Sequence, residues 1–198
     1  MVRLGITGGI GSGKSYVCHR LHQLYGVPVY DSDTRAKQLM VSHPQVRSAL
    51  VALLGTEVYT PEGALNKPLV ARFLFASPQN AAAINAIVHP AVKDDFRQWA
   101  AAHAQAPVVV LESAILFESG FHSVVDAVLT VEAPLEVRIE RVKSRDGATD
   151  EQIRARIRAQ LTDAERALKA QHRLLNDGIC SIDSQLHALY QSLTPPAL

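Results

Sequence analysis

Short apolar runs along this chain alternate with longer stretches in which apolar residues recur every three or four positions. Residues 2 to 7 form the first run and read as a buried strand. A glycine cluster, Gly8 to Gly13, comes next. Val17, Leu21 and Leu24 then recur at helical spacing, and Gly26 is a helix stop. Val27 to Asp31 reads as a second strand. Strand, glycine-rich turn, helix and strand in that order make a βαβ unit, whose crossover demands a parallel pair.

The middle of the chain reads as helical. Ser42-x-x-Gln45 predicts a capping box with Pro44 inside the first turn, ahead of an apolar face of Val46, Leu50, Leu53 and Leu54. Pro68 and Pro78 predict further helix starts. Ile84, Ile87, Val88, Val92, Phe96 and Trp99 keep helical spacing, with a kink expected at Pro90. Val108 to Glu112 is the clearest later strand, and Asp126 to Glu132 is another. Pro134 opens a helix to about Arg145, which Gly147 breaks. Thr149-x-x-Gln152 predicts a capping box before the stripe Ile153, Ile157 and Leu161. Leu174 to Asn176 reads as a last short strand and Asp177-Gly178 as a turn. Ile182, Leu186, Leu189 and Leu193 mark a final helix, ended by Pro195-Pro196.

The pattern predicts an α/β protein: one three-layer α/β/α domain spanning residues 1–198 around a five-stranded parallel sheet. The helical stretch from about 34 to 104 is too long for a plain crossover and is expected to form a lobe over the active site. A chain of 198 residues, 47% of them hydrophobic, is long and apolar enough for one such core. Its net charge of +1 argues against a main task of gripping nucleic acid, while leaving room for a local basic groove. No run approaches the roughly 18 apolar residues of a membrane span. The N-terminal run is cut by glycines and followed by Lys14, unlike a signal peptide, so a soluble cytoplasmic protein is expected. Cys18 and Cys180 lack zinc-like spacing and read as reduced, buried, small apolar residues.

Gly8-Gly9-Ile10-Gly11-Ser12-Gly13-Lys14-Ser15 matches G-x-x-x-x-G-K-[ST] at every fixed position, after a strand and before a helix. Glycines let the backbone approach phosphates closely, and the exposed N–H groups make an anion nest at the helix N-terminus. Lys14 is placed to reach β- and γ-phosphates, and the Ser15 hydroxyl to ligate Mg²⁺. The chain is therefore expected to bind ATP. A guanine-binding Asn-Lys-x-Asp is missing, because Asn66-Lys67 is followed by Pro68-Leu69. The third strand ends in Glu112-Ser113 rather than the Asp-Glu of mechanical ATPases, which favours a small-molecule kinase.

The opening Gly5-Ile6-Thr7-Gly8-Gly9-Ile10-Gly11-Ser12-Gly13-Lys14-Ser15 resembles that of the dephospho-coenzyme A kinases. Asp31-Ser32-Asp33, Ile87-Val88-His89-Pro90, Ala114-Ile115-Leu116-Phe117-Glu118, Arg141 and Arg145, Arg156-Ile157-x-x-Gln160 and Asn176-x-Gly178 extend the resemblance, in order, over nearly the whole chain. Tyr16, Glu112, Ala114 and Gln171 depart from the family's pattern. The resemblance implies transfer of the γ-phosphate of ATP to the ribose 3′-hydroxyl of dephospho-coenzyme A, the last step of coenzyme A biosynthesis. It also implies a Mg²⁺ requirement, a monomer or weak homo-oligomer, and a helical lid from about 134 to 168.

On that reading Gly9 to Tyr16 and Asn176 bind ATP, and Asp33, just past the end of the second strand, orients and deprotonates the acceptor hydroxyl. Asp33 also reads as a helix cap with Asp31 packing nearby. Arg138, Arg141 and Arg145 fall on one helix face. Arg141 and Arg145 are expected at the phosphoryl group, whereas Arg138 reads as part of a solvated face with Glu136 and Glu140. His89 is either structural or turned to the acceptor, and Lys67 and Arg72 either meet acceptor phosphates or lie on the surface.

Overall fold

β1 (Val2–Thr7) is buried continuously from Leu4 onward rather than in alternation, which marks a strand covered on both faces. The structure, a computed structural model, describes residues 1–194, so the helix end expected at Pro195-Pro196 lies outside the described residues. β3 (Val108–Glu112) and β4 (Ala127–Glu132) have the same buried runs, and both pair parallel with β1. The sheet order is β2-β3-β1-β4-β5, with the two shortest strands, β2 (Val29–Asp31) and β5 (His172–Leu175), at its edges. Ile6 lies opposite Glu112 and Thr7 opposite Thr130, so the C-terminal ends of the three central strands meet at one edge.

The chain divides into two compact units. The first comprises Met1–Tyr30 and the chain from Ala100 onward. Its main core packs Leu4, Ile6, Val110, Leu129 and Val131 of the sheet with Val17, Cys18 and Leu21 of α1 (Lys14–Tyr25) and Leu186 and Leu189 of α9 (Ile182–Leu193). Each such leucine or isoleucine contributes roughly 1.5–3 kcal/mol. Tyr25 and Tyr190 stack at 4.1 Å and join α1 to α9. Gly26 ends α1 in the left-handed conformation.

A smaller core holds α6 (Leu135–Asp146) and α7 (Asp150–Arg158) through Ile139, Val142, Ala148 and Ile153, with Ile10 packed on it. The expected capping box at Thr149 is present. The helix expected to reach Leu161 stops at Arg158, because a second capping box, Thr162 with Glu165, starts α8 (Asp163–Lys169).

The second unit, Asp31–Trp99, holds α2 (Ser32–Ser42), α3 (Pro44–Leu54), α4 (Lys67–Ala76) and most of α5 (Pro78–Ala102), which runs unbroken through Pro90. Arg35 ties α2 to α5 through both oxygens of Asp95. The guanidinium of Arg47 lies 3.8 Å from the Tyr59 ring centroid and donates to the carbonyls of Val41 and Gly63. The capping box expected at Ser42 does not form. Ser42 completes α2 and donates to Gln38, and His43 caps α3 through its ring nitrogen, since Pro44 starts α3 only after α2 has ended. Among the described residues no helix is long and apolar enough to cross a membrane.

Candidate active site

The end of β1, the start of α1 and the end of β3 build the site. The chain leaves the sheet at Thr7 and re-enters regular structure at Lys14. Gly13, the residue before α1, has φ 92°, and a Cβ there would sit 2.2 Å from Nδ2 of Asn176. Glycine is required twice over, by backbone sign and by space. Nζ of Lys14 donates to the Gly8 carbonyl at 3.0 Å, folding the ammonium back across the loop. Oγ of Ser15 donates to Oε1 of Glu112 at 2.7 Å. The parallel register that sets Ile6 beside Glu112 delivers this carboxylate to the loop. Glu112, a departure from the resembled pattern, thus reaches the serine hydroxyl.

Asn176 follows β5 and is buried. Its backbone N–H donates to the Glu132 carbonyl at 2.7 Å, and its Nδ2 to the Ser12 carbonyl at 2.8 Å. Arg141 of α6 donates to the Asn176 carbonyl at 3.1 Å and to its Oδ1 at 3.3 Å. These side chains, with Gly13, Tyr16 and Cys180, line an open cavity of about 570 Å³ beside the loop. Such a cleft at the C-terminal edge of a parallel sheet is where this architecture takes ligands.

Two side chains hold the backbone of Ile10 from either side. Its N–H donates to Oε1 of Gln160 at 2.9 Å, and its carbonyl accepts from Nε of Arg138 at 2.9 Å. Nε2 of Gln160 donates to the Ala114 carbonyl, and the Leu161 N–H to Glu118, so the α7–α8 connection is fastened to the segment after β3. Arg138 corrects the sequence reading: it is 3% exposed, not part of a solvated face, and pairs with Asp163 at 2.7 Å. Burial pulls its pKa below the ordinary arginine value, Asp163 holds it up, and Arg166 depresses it further. A signal for its burial was available, because Arg138 shares a helix face with Val142 four residues on, itself buried.

The structure brings Arg141 to the loop but leaves Arg145 exposed and paired with Asp146 at 2.7 Å. Asp33, Lys67 and His89 belong to the second unit. Asp31, not Asp33, caps α2, its Oδ1 accepting from the N–H groups of Asp33 and Thr34. Asp33 stands exposed in the first turn, and Lys67 and Arg72 are exposed on α4. His89 is half-buried, and burial, with Lys93, lowers its pKa. Cys18 is buried as expected, whereas Cys180 is exposed, because it follows the Asp177-Gly178 turn rather than lying on a core-facing helix position. Gln171, another departure, accepts from the Val128 N–H at 2.8 Å and extends the pairing at the start of β4.

A phosphate-binding loop between β1 and α1, with the strand order β2-β3-β1-β4-β5, defines a P-loop kinase fold. Shikimate kinase from Bacteroides thetaiotaomicron shares it at a TM-score of 0.56 and 16% identity, over 97% of both chains. The family model for dephospho-CoA kinase matches residues 2–181, and the chain belongs to that family. It is 48% identical to the dephospho-CoA kinase of Bacteroides fragilis strain YCH46 over 89% of this chain and 85% of that one. With the enzyme of the same name from Porphyromonas gingivalis it shares 45% identity, over 89% and 86%. A crystal structure from Thermus thermophilus superposes with a TM-score of 0.80 at 34% identity, over 100% of this chain and 98% of that one. The protein is therefore a kinase, and ATP is its co-substrate.

Proposed function

We propose that the chain transfers the γ-phosphate of ATP to the ribose 3′-hydroxyl of dephospho-coenzyme A, giving coenzyme A and ADP. The observation that carries this reading is the loop itself: Lys14 and the Ser15–Glu112 pair stand beside a cleft lined by Arg141 and Asn176. Phosphoryl transfer asks the protein mainly to position two partners and neutralise charge. Lys14 leaves the Gly8 carbonyl to meet the β- and γ-phosphates. Ser15 Oγ and the Glu112 carboxylate are adjacent hard oxygen donors, a set that fits Mg²⁺ better than a softer metal. Ser15 and Glu112 would hold the ion, which would supply positive charge against the phosphates.

Gly9 to Tyr16 and Asn176 hold the nucleotide. Asp33 orients the acceptor hydroxyl and takes its proton, and Lys67 and His89 contribute to the acceptor site, so residues from about 34 to 104 serve as the acceptor-binding insertion. Support comes from the Asp31 cap, which accounts for one carboxylate of Asp31-Ser32-Asp33 as structural and leaves Asp33 outside that role. The helices from about 134 to 168 act as the lid, with Arg141 and Arg145 on the transferring group. Arg145 has to leave Asp146 for this, and a solvent-screened surface pair of that kind holds it only weakly. Identical hydrogen exchange in this segment with and without both ligands argues against lid closure. The reading places the enzyme in the cytoplasm as a monomer or weak homo-oligomer.

The test is ADP release from ATP and Mg²⁺, with and without dephospho-coenzyme A, with mass spectrometry of the acceptor. Acceptor-dependent ADP with a one-phosphate mass gain is expected. ATP binding without acceptor-dependent ADP sinks the substrate assignment.

A further inference from the structure

One buried charged cluster has no part in the chemistry proposed above. Arg138 and Arg166 are 3% and 2% exposed, and both bond to Asp163. Arg166 also donates to the Leu161 carbonyl. Two guanidinium groups against one carboxylate leave a net positive charge beneath the phosphate loop. Burying an arginine is costly unless its fork is used, and here two of its three nitrogens are spent on defined partners. Nε of Arg138 holds the Ile10 carbonyl at 2.9 Å, and Nη1 holds Asp163 at 2.7 Å. The third, Nη2, faces Gly9: a Cβ on Gly9 would lie 2.1 Å from it. Gly9 has no positive φ, so backbone freedom does not explain glycine there. The guanidinium occupies the space a side chain would need.

We infer that Arg138 is a positioning residue for ATP binding: anchored by Asp163 of α8, it props the loop backbone at the Ile10 carbonyl so that the loop's N–H groups are set for the triphosphate. The inference rests on the kinase reading of the loop. It explains the missing side chain at Gly9 by Arg138, and it links the α6–α8 segment to the geometry of the nest. Gln160, on the N–H of the same residue, is the opposing half of the clamp. Gly11 differs, since a Cβ there would lie 2.4 Å from the backbone oxygen of Arg138, which no side-chain change removes.

The experiment measures equilibrium ATP affinity by calorimetry, alongside kcat and KM for ATP and acceptor, in Arg138→Met, Arg138→Lys, Asp163→Asn and a Gly9→Ala cycle. A charge-assisted hydrogen bond is lost in Arg138→Met, so ATP affinity should fall about 10- to 100-fold with acceptor KM unchanged. Arg138→Lys, which cannot span both partners, should recover only part of the loss. Asp163→Asn, at a carboxylate 45% exposed, should fold and weaken ATP binding in the same direction. Gly9→Ala should weaken ATP binding in the wild-type background and add little in Arg138→Ala, whereas Gly11→Ala should remain harmful in both. Wild-type ATP affinity in Asp163→Asn, or an equal Gly9→Ala penalty in both backgrounds, overturns the inference. A wild-type protein that binds ATP through this cycle but shows no acceptor-dependent ADP release leaves the inference standing and removes the substrate assignment instead.

Discussion

Replacing Asn176 tests the joint between the phosphate loop and the last strand. In Asn176→Ala the Ser12 carbonyl loses its 2.8 Å donor, and Arg141 loses an acceptor at 3.3 Å. The remaining contact to Ser12, from Nη1 of Arg141, is 3.5 Å and weak. A neutral hydrogen bond is worth about 1 kcal/mol net, and stranding a buried acceptor raises the cost to about 3 kcal/mol. In a protein of this size each kcal/mol moves Tm by about 2–4 °C, so a fall of roughly 2–12 °C is expected. Asn176→Asp is the sharper variant, because it keeps the shape but puts a carboxylate oxygen where Nδ2 faces the Ser12 carbonyl. If the new attraction to Arg141 wins, Asp outperforms Ala. The Arg141 contact is long, whereas two acceptors opposed at a buried site are close, so Asp should be less stable than Ala. Thermal unfolding followed by circular dichroism, with ATP affinity measured in parallel, decides it. An Asp variant at least as stable as the Ala variant refutes this account of the joint.

Lys14→Ala should raise the KM for ATP by about 10-fold or more through loss of a charge-assisted phosphate contact; an unchanged KM would remove Lys14 from the nucleotide site. Asp33→Asn should retain ATP affinity and lose roughly 10²–10⁴-fold in kcat, and turnover at the wild-type rate means the base lies elsewhere. The hydrogen bond from Arg3 holds the Asp126 carboxyl below its ordinary range, so its contribution is present above about pH 4 and lost as pH falls through the lower folded value. Both partners are more than a third exposed, so the effect is small, and urea unfolding should show Asp126→Asn and wild type converging at acid pH. Burial of His89 lowers its pKa, so its contribution to stability is complete above about pH 6.5 and shrinks as pH falls through the folded value. A His89→Gln variant should lose that segment of the pH profile.

Most of the sheet was legible because fully buried parallel strands are short apolar runs with little ambiguity. Val108 to Glu112 was read to the residue, and Gly26 and Gly147 marked helix ends where they stand. Local signals failed where two of them competed. Ser42-x-x-Gln45 has the form of a cap, but the chain turns one residue later at His43. Thr162 with Glu165 restarts a helix that apolar spacing alone carries on. The nucleotide loop was likewise complete in the sequence, since its chemistry lies in eight consecutive residues. Roles that depend on residues distant in sequence were not.

Sequence by itself determined the α/β class and the phosphate loop, because periodicity and motif spacing are properties of neighbours along the chain, while the family came from the resemblance of its ordered motifs to a known one. Only the tertiary structure decided that Glu112 meets Ser15, that Asn176 holds Ser12, and that Arg138 is buried against Gly9 while Arg145 faces solvent. The physical reason is that a charged residue's role depends on what surrounds it. Arg138 and Arg145 occupy the same helix seven residues apart, but one lies against Gly9, Ile10 and Asp163 and is buried, while the other pairs with Asp146 at the surface.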